Sequence, residues 1–151
     1  MKKSLRYIPF LLIILFVAQG CTKSVIVADV PVAGSWTLNE AYQSTGNGWR
    51  AVSTGLEGGV FDFYNNGAAQ YDDGYNLMTG NWSIRRVSSG YYDEYGTYYN
   101  ELHDSFEIHV YDSYTRGSAD LYFDDVRFTG NKIIATNYSG GIISKYIFRR
   151  Y

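Results

Sequence analysis

Val60-Phe61-Asp62-Phe63-Tyr64-Asn65-Asn66-Gly67-Ala68-Ala69-Gln70-Tyr71 is the stretch that decides the fold. Large β-forming side chains fill 60–64, and the chain then meets Asn-Asn-Gly, residue types that accept positive φ. A second short segment runs back to Tyr71, and Asp72-Asp73-Gly74 turns the chain again. This spacing predicts an antiparallel hairpin.

The same grammar extends in both directions. Trp36, Leu38 and Tyr42 alternate with Thr37, Asn39 and Ala41 in a first strand, and Gly46-Asn47-Gly48 ends it before a short segment at 49–53. Downstream, Leu77 to Arg86 sets Trp82 and Ile84 against Asn81, Ser83 and Arg85. Phe106, Ile108 and Val110 alternate with Ser105, Glu107 and His109. Segments 119–128, 132–138 and 142–151 follow, joined by Thr129-Gly130-Asn131 and Ser139-Gly140-Gly141. Ser88 to Asn100 reads as the longest loop. With 27 aromatic residues (16 Tyr, 8 Phe, 3 Trp) and no segment of helical period, the chain is all-β. About eight strands in an up-and-down antiparallel meander can close into a barrel, which removes exposed edges; an open sandwich is the competing arrangement.

The N-terminus follows a different rule. Lys2, Lys3 and Arg6 precede an apolar run from Ile8 to Ala18, which is shorter than the roughly 20 residues of a membrane span. Gly20 then precedes Cys21, the single cysteine. This arrangement resembles the lipobox of bacterial lipoproteins, although Ala18 and Gln19 stand where Leu and Ala or Ser are typical. The resemblance implies that residues 1–20 are removed as a signal peptide and that the Cys21 thiol carries the lipid. The alternative is a plain secretion signal that leaves a free thiol. Residues 21–32 then form the lipidated N-terminus and tether, and 33–151 the domain. The expected location is the cell envelope, as an outer-membrane lipoprotein on its periplasmic or surface face.

Charge narrows the partners. The formal net charge is −2, and removing the signal, which holds three cations and no acid, makes the mature chain more acidic. That balance excludes a nucleic-acid partner, which selects basic faces. It also leaves acyl chains as the membrane contact.

Gly34-Ser35-Trp36 opening the first strand resembles the Gly-x-Trp motif of the calycins. The layout from Val32 to Tyr151 is similar to the lipocalin-like domain of small bacterial lipoproteins. Gly34-Ser35-Trp36-Thr37-Leu38 opens it, Phe61 to Gly67 leads into the Asn-Gly turn, Gly80-Asn81-Trp82 lies mid-chain and Phe148-Arg149 ends it. The resemblance implies a barrel closed at one end by Trp36, with Arg149 across its ring. It does not name a ligand, because a fold does not fix a function.

Candidate chemistry is sparse. His103 and His109 share strand parity with Glu101 and Glu107, opposite Phe106, Ile108 and Val110. Six residues of strand separate the histidines by roughly 20 Å, so one ion cannot reach both, and the pattern reads as a solvated face. The acidic pairs at 72–73, 93–94 and 124–125 lack the alternating ligand spacing of a calcium loop. Asp124-Asp125 marks a bulge instead. No nucleophile elbow occurs. The sequence thus implies no catalytic residue, no metal and no cofactor.

Two binding readings remain. A small apolar or amphipathic ligand would sit inside, against Phe61, Phe63, Trp82 and Phe106. Alternatively, a structural or assembly lipoprotein would contact a protein or glycan through a Tyr-rich rim at Tyr91, Tyr92 and Tyr95. Interior volume separates the two: a cavity of about 300 Å³ or more favours the first.

Overall fold

The computed structural model describes residues 32–88, 90–92 and 97–151. The signal, Cys21, the tether up to residue 31 and Tyr95 lie outside the described residues. The described chain holds twelve strands and no helix. They are β1 (Gly34–Ser44), β2 (Trp49–Ala51), β3 (Val60–Phe63), β4 (Ala68–Asp72), β5 (Leu77–Val87), β6 (Tyr91–Tyr92), β7 (Tyr98–Tyr99), β8 (His103–Tyr111), β9 (Ser118–Phe123), β10 (Asp125–Thr129), β11 (Lys132–Ser139) and β12 (Ile142–Arg150).

Ten of these make one antiparallel sheet in the order β10-β11-β12-β1-β3-β4-β5-β8-β9, with β2 attached to β1. Apart from the β12–β1 pair and the skipped β2 and β6–β7 segments, neighbours on this path are consecutive along the chain, as in a meander. The first and last long strands pair from Trp36↔Arg150 to Ser44↔Ile143, with a bulge between Leu38 and Glu40. The Tyr64–Gly67 turn forms the expected hairpin: Gly67 has φ of +83°, and its N–H donates to the Tyr64 carbonyl at 3.0 Å.

The expected barrel of eight strands is corrected in two respects. The extra strands are the short β2, the β6–β7 pair within the loop at 88–100, and the one gained where segment 119–128 is split at Asp124. Moreover, the ladder does not close. Its end strands are β9 and β10, consecutive in the chain and separated by Asp124 alone, and β10 lies beside β8 without pairing to it. At the break, the Asp124 carboxylate accepts the Tyr138 backbone N–H at 2.7 Å and the Asn137 side-chain amide at 3.2 Å. A side chain thus takes the place of a ladder partner. Inward parity shifts there too, from Ala119 and Phe123 to Val126 and Phe128.

The sheet curls around a filled aromatic interior. Phe61 meets Tyr71 at 4.7 Å between ring centroids, Phe63 meets Phe106 at 5.6 Å, and Phe61 meets Phe148 at 5.7 Å. Phe123 of β9 lies edge-on to Phe148 of β12 at 6.3 Å, joining parts of the sheet that share no ladder. Each such pair adds about 0.5–1.5 kcal/mol beyond its buried area. Gly80 allows close approach between strands, because a Cβ there would collide with the His109 carbonyl.

At one end Trp36, 1% exposed, donates its indole N–H to the Val32 carbonyl at 2.7 Å. The guanidinium across its ring belongs to Arg150, 5.0 Å from the ring centroid, and not to Arg149. Cross-strand register explains the correction. Arg150 is directly opposite Trp36, whereas Arg149 is opposite Thr37 and turns to Glu40 at 3.1 Å. Arg150 also donates to the Ala33 carbonyl at 2.6 Å, and the bare Gly34 backbone leaves room for it. Arg150→Ala is therefore expected to cost about 1–2 kcal/mol, from a lost cation–π contact and a charge-assisted hydrogen bond. Arg149→Ala, which breaks a partly exposed ion pair, should cost less than about 1 kcal/mol. Urea denaturation of the two variants checks the order.

Candidate functional site

The site begins with four tyrosines in a hairpin. Tyr91 pairs with Tyr99 and Tyr92 with Tyr98, and the ring centroids lie 5.6 and 5.0 Å apart. Gly90 is needed at the approach, since a Cβ there would run into the Tyr98 ring. Strands of two residues do not hold themselves in water, so the hairpin depends on what it leans against.

It leans on the outer face of β11. Ile133 and Ala135 point inward and are fully buried, which leaves Ile134, Thr136 and Tyr138 on the opposite face. Tyr91 stacks on Tyr138 at 4.5 Å with the planes 21° apart, and meets His103 edge-on at 5.3 Å. Neighbouring β12 adds Lys145, opposite Thr136, and Ile147, opposite Ile134.

Two open clefts adjoin at this stack. The first, about 510 Å³, is lined by Tyr91, Tyr92, Asp124, Tyr138, Ile142 and Ile143, together with Gly46, Gly90, Gly140 and Gly141. The second, about 410 Å³, is lined by Tyr91, Tyr99 and Tyr138 together with Glu101, Asp125, Arg127, Thr136 and Lys145. Tyr91 and Tyr138 line both. Arg127 pairs with the largely buried Asp125 carboxylate at 3.2 Å, and that negative neighbour holds the guanidinium pKa above its usual value. The Lys145 ammonium lies 4.0 Å from the centroid of the Trp49 ring.

The sequence-derived residues separate into two groups. Phe61, Phe63 and Phe106 are 0–2% exposed and pack against one another in the interior. Trp82 packs on Phe63 and Phe106 and donates its indole N–H to the Tyr64 carbonyl at 3.0 Å. None of the four lines either cleft. Tyr91 and Tyr92 come together at the clefts, while Tyr95 and Cys21 lie outside the described residues.

The solvated face read for the histidines is corrected in part. His109 is exposed and meets the Asp120 carboxylate at 2.8 Å, but His103, edge-on to Tyr91, and Ser105 of the same parity are buried. The contributions of Tyr138, Asp125, Arg127 and Lys145 were missed. Their outward parity is readable from alternation, but no local signal says that a hairpin crosses that face.

Comparison with models of protein families, with curated proteins and with solved structures gave no match.

Burial pushes the Tyr91 hydroxyl above the ordinary tyrosine pKa, and the nearby Asp125 and Glu101 charges push it the same way. A phenol that resists ionisation in the fold stabilises it while neutral. That contribution is complete below the unfolded value of about 10 and is lost as pH rises through the raised folded value. Burial also raises Tyr71, Tyr122 and Tyr146, so ultraviolet titration of Tyr91→Phe should show one late-ionising tyrosine fewer than the parent. As pH rises above about 10, the urea midpoint of the parent should fall further than that of the variant; equal falls would remove Tyr91 from this role.

Proposed function

We propose that this chain is a non-catalytic binding lipoprotein of the cell envelope that takes its ligand on the outside of the sheet. Cys21 is the anchor, placing the domain at the outer membrane on its periplasmic or surface face. The clefts flanking Tyr91 and Tyr138 are the binding surface.

The observation that carries this reading is the contrast between inside and outside. The interior positions suited to an apolar ligand are filled by rings in mutual contact. The open volume lies where polar and aromatic groups share a surface. Tyrosine suits such a surface, since its ring gives apolar area and its hydroxyl gives a hydrogen bond. Tyr92 and Tyr98 are more than half exposed beside it.

Site-specific photocrosslinking in intact cells tests the surface. Tyr92→p-benzoylphenylalanine, at the first cleft, should give a discrete adduct. Tyr75→p-benzoylphenylalanine should give none, because Tyr75 is 97% exposed and lines neither cleft. Equal labelling at both positions, or none at position 92, overturns the outer-face reading.

A further inference from the structure

We propose that the two clefts form one groove for a short neutral oligosaccharide, which crosses the Tyr91–Tyr138 stack; this rests on the outer-face reading and names its ligand class. Four features of the groove lead to it.

The first is charge. The second cleft carries Glu101 and Asp125 against Arg127 and Lys145, two of each sign. Asp125 and Arg127 neutralise each other at 3.2 Å, and Lys145 sits over the Trp49 ring. With Asp124 in the first cleft the groove carries one more acid than base, so it opposes an anionic polymer and offers a basic peptide only a weak field. A neutral ligand whose groups both donate and accept hydrogen bonds suits a surface where carboxylates and a guanidinium lie side by side. Sugar hydroxyls have this property.

The second is the distribution of aromatic area. Tyr91, Tyr92, Tyr99 and Tyr138 supply flat rings along the walls of two open clefts, beside the aliphatic side chains of Ile142 and Ile143 in the first and Ile134 and Ile147 in the second. The C–H faces of a pyranose match such rings, while its edge hydroxyls reach the polar groups around them.

The third is the glycine content of the first cleft. Gly46, Gly90, Gly140 and Gly141 line it with backbone that carries no side chain. A Cβ at Gly46, Gly140 or Gly141 would have no neighbour within 4 Å, and all three have positive φ, so the turns themselves call for glycine. The same bare backbone leaves room for a flat ring to approach.

The fourth is shape. Because Tyr91 and Tyr138 line both clefts, an occupant of both is elongated and passes over the stacked pair. An extended peptide is the other elongated candidate, but it would need a free strand edge here. β11 is paired on one side by β10 and on the other by β12, and β12 by β11 and β1. The end strand β10, which supplies Asp125 and Arg127, has its unpaired side beside β8, so strand addition, the usual source of peptide affinity on a sheet, is left with the two-residue strands β6 and β7 at this groove.

The test titrates the full-length protein in detergent with chitotetraose, cellotetraose, maltotetraose and β-1,3-glucotetraose, read by saturation-transfer NMR. At least one should bind, and its monosaccharide should bind about tenfold more weakly because it fills one cleft instead of two. Glu101→Gln and Tyr92→Ala should each weaken binding about threefold or more, and Tyr75→Ala should leave it unchanged. Binding of the monosaccharide as tight as the tetrasaccharide, or binding indifferent to both cleft variants, overturns the proposal. So does failure of all four sugars at about 10 mM. If that failure accompanies a protein adduct from position 92, the glycan is wrong and the outer-face reading stands. If position 92 also gives no adduct, both fall.

Discussion

The Asp124 carboxylate takes up the Tyr138 N–H and the Asn137 amide at the point where the sheet's ladder is interrupted. Much of the molecule follows from that substitution of side chain for backbone. An up-and-down sheet that curls must bring its first and last strands together, and β1 and β12 do pair along almost their whole length. The break is displaced to the middle of a strand instead. Because β9 and β10 are joined through one residue, they cannot drift apart, and the Phe123–Phe148 contact ties the interior across the gap. The open ladder is thus held by covalent continuity, ring packing and the Asp124 side-chain hydrogen bonds rather than by a backbone ladder.

The same residue positions the candidate site. Fixing the Tyr138 backbone fixes the ring on which Tyr91 stacks, and Asp124 itself lines the first cleft. The hairpin carrying Tyr91 leans on that stack and on His103. The proposed binding surface lies between β11 and β12, each paired on both sides within the sheet, and the two-stranded β6–β7 hairpin laid across them.

The sequence discloses those parts that depend on local alternation. Phe61 with Phe63, and Phe106 with Ile108 and Val110, mark inward faces because a period of two cannot be mistaken when the alternating residues are this different. The Asn-Asn-Gly turn and the parity shift at Asp124-Asp125 are readable for the same reason. Where one residue of register matters at long range, the reading fails. Phe148-Arg149 fits a motif, yet the Trp36↔Arg150 pairing puts the guanidinium one position later. Nothing near Arg149 encodes that offset; it follows from the β1–β12 register.

The site was legible by composition but not by location. Tyrosines crowded at 91–99 identify a surface that favours contact, and nothing in that segment states which strand lies beneath it. Tyr138, 47 residues beyond Tyr91, reads locally as an ordinary outward strand residue. Its role exists only because the connection between β5 and β8 folds back over β11, and that route is set by the curl of the sheet. The core can thus be built from residues whose neighbours along the chain announce them. A recognition surface on the outside of a meander is assembled from distant outward positions, each solvent-facing until another element covers it. His103 shows the same rule in reverse: its strand parity predicts exposure, yet it is buried, with Tyr91 from another strand edge-on to its ring.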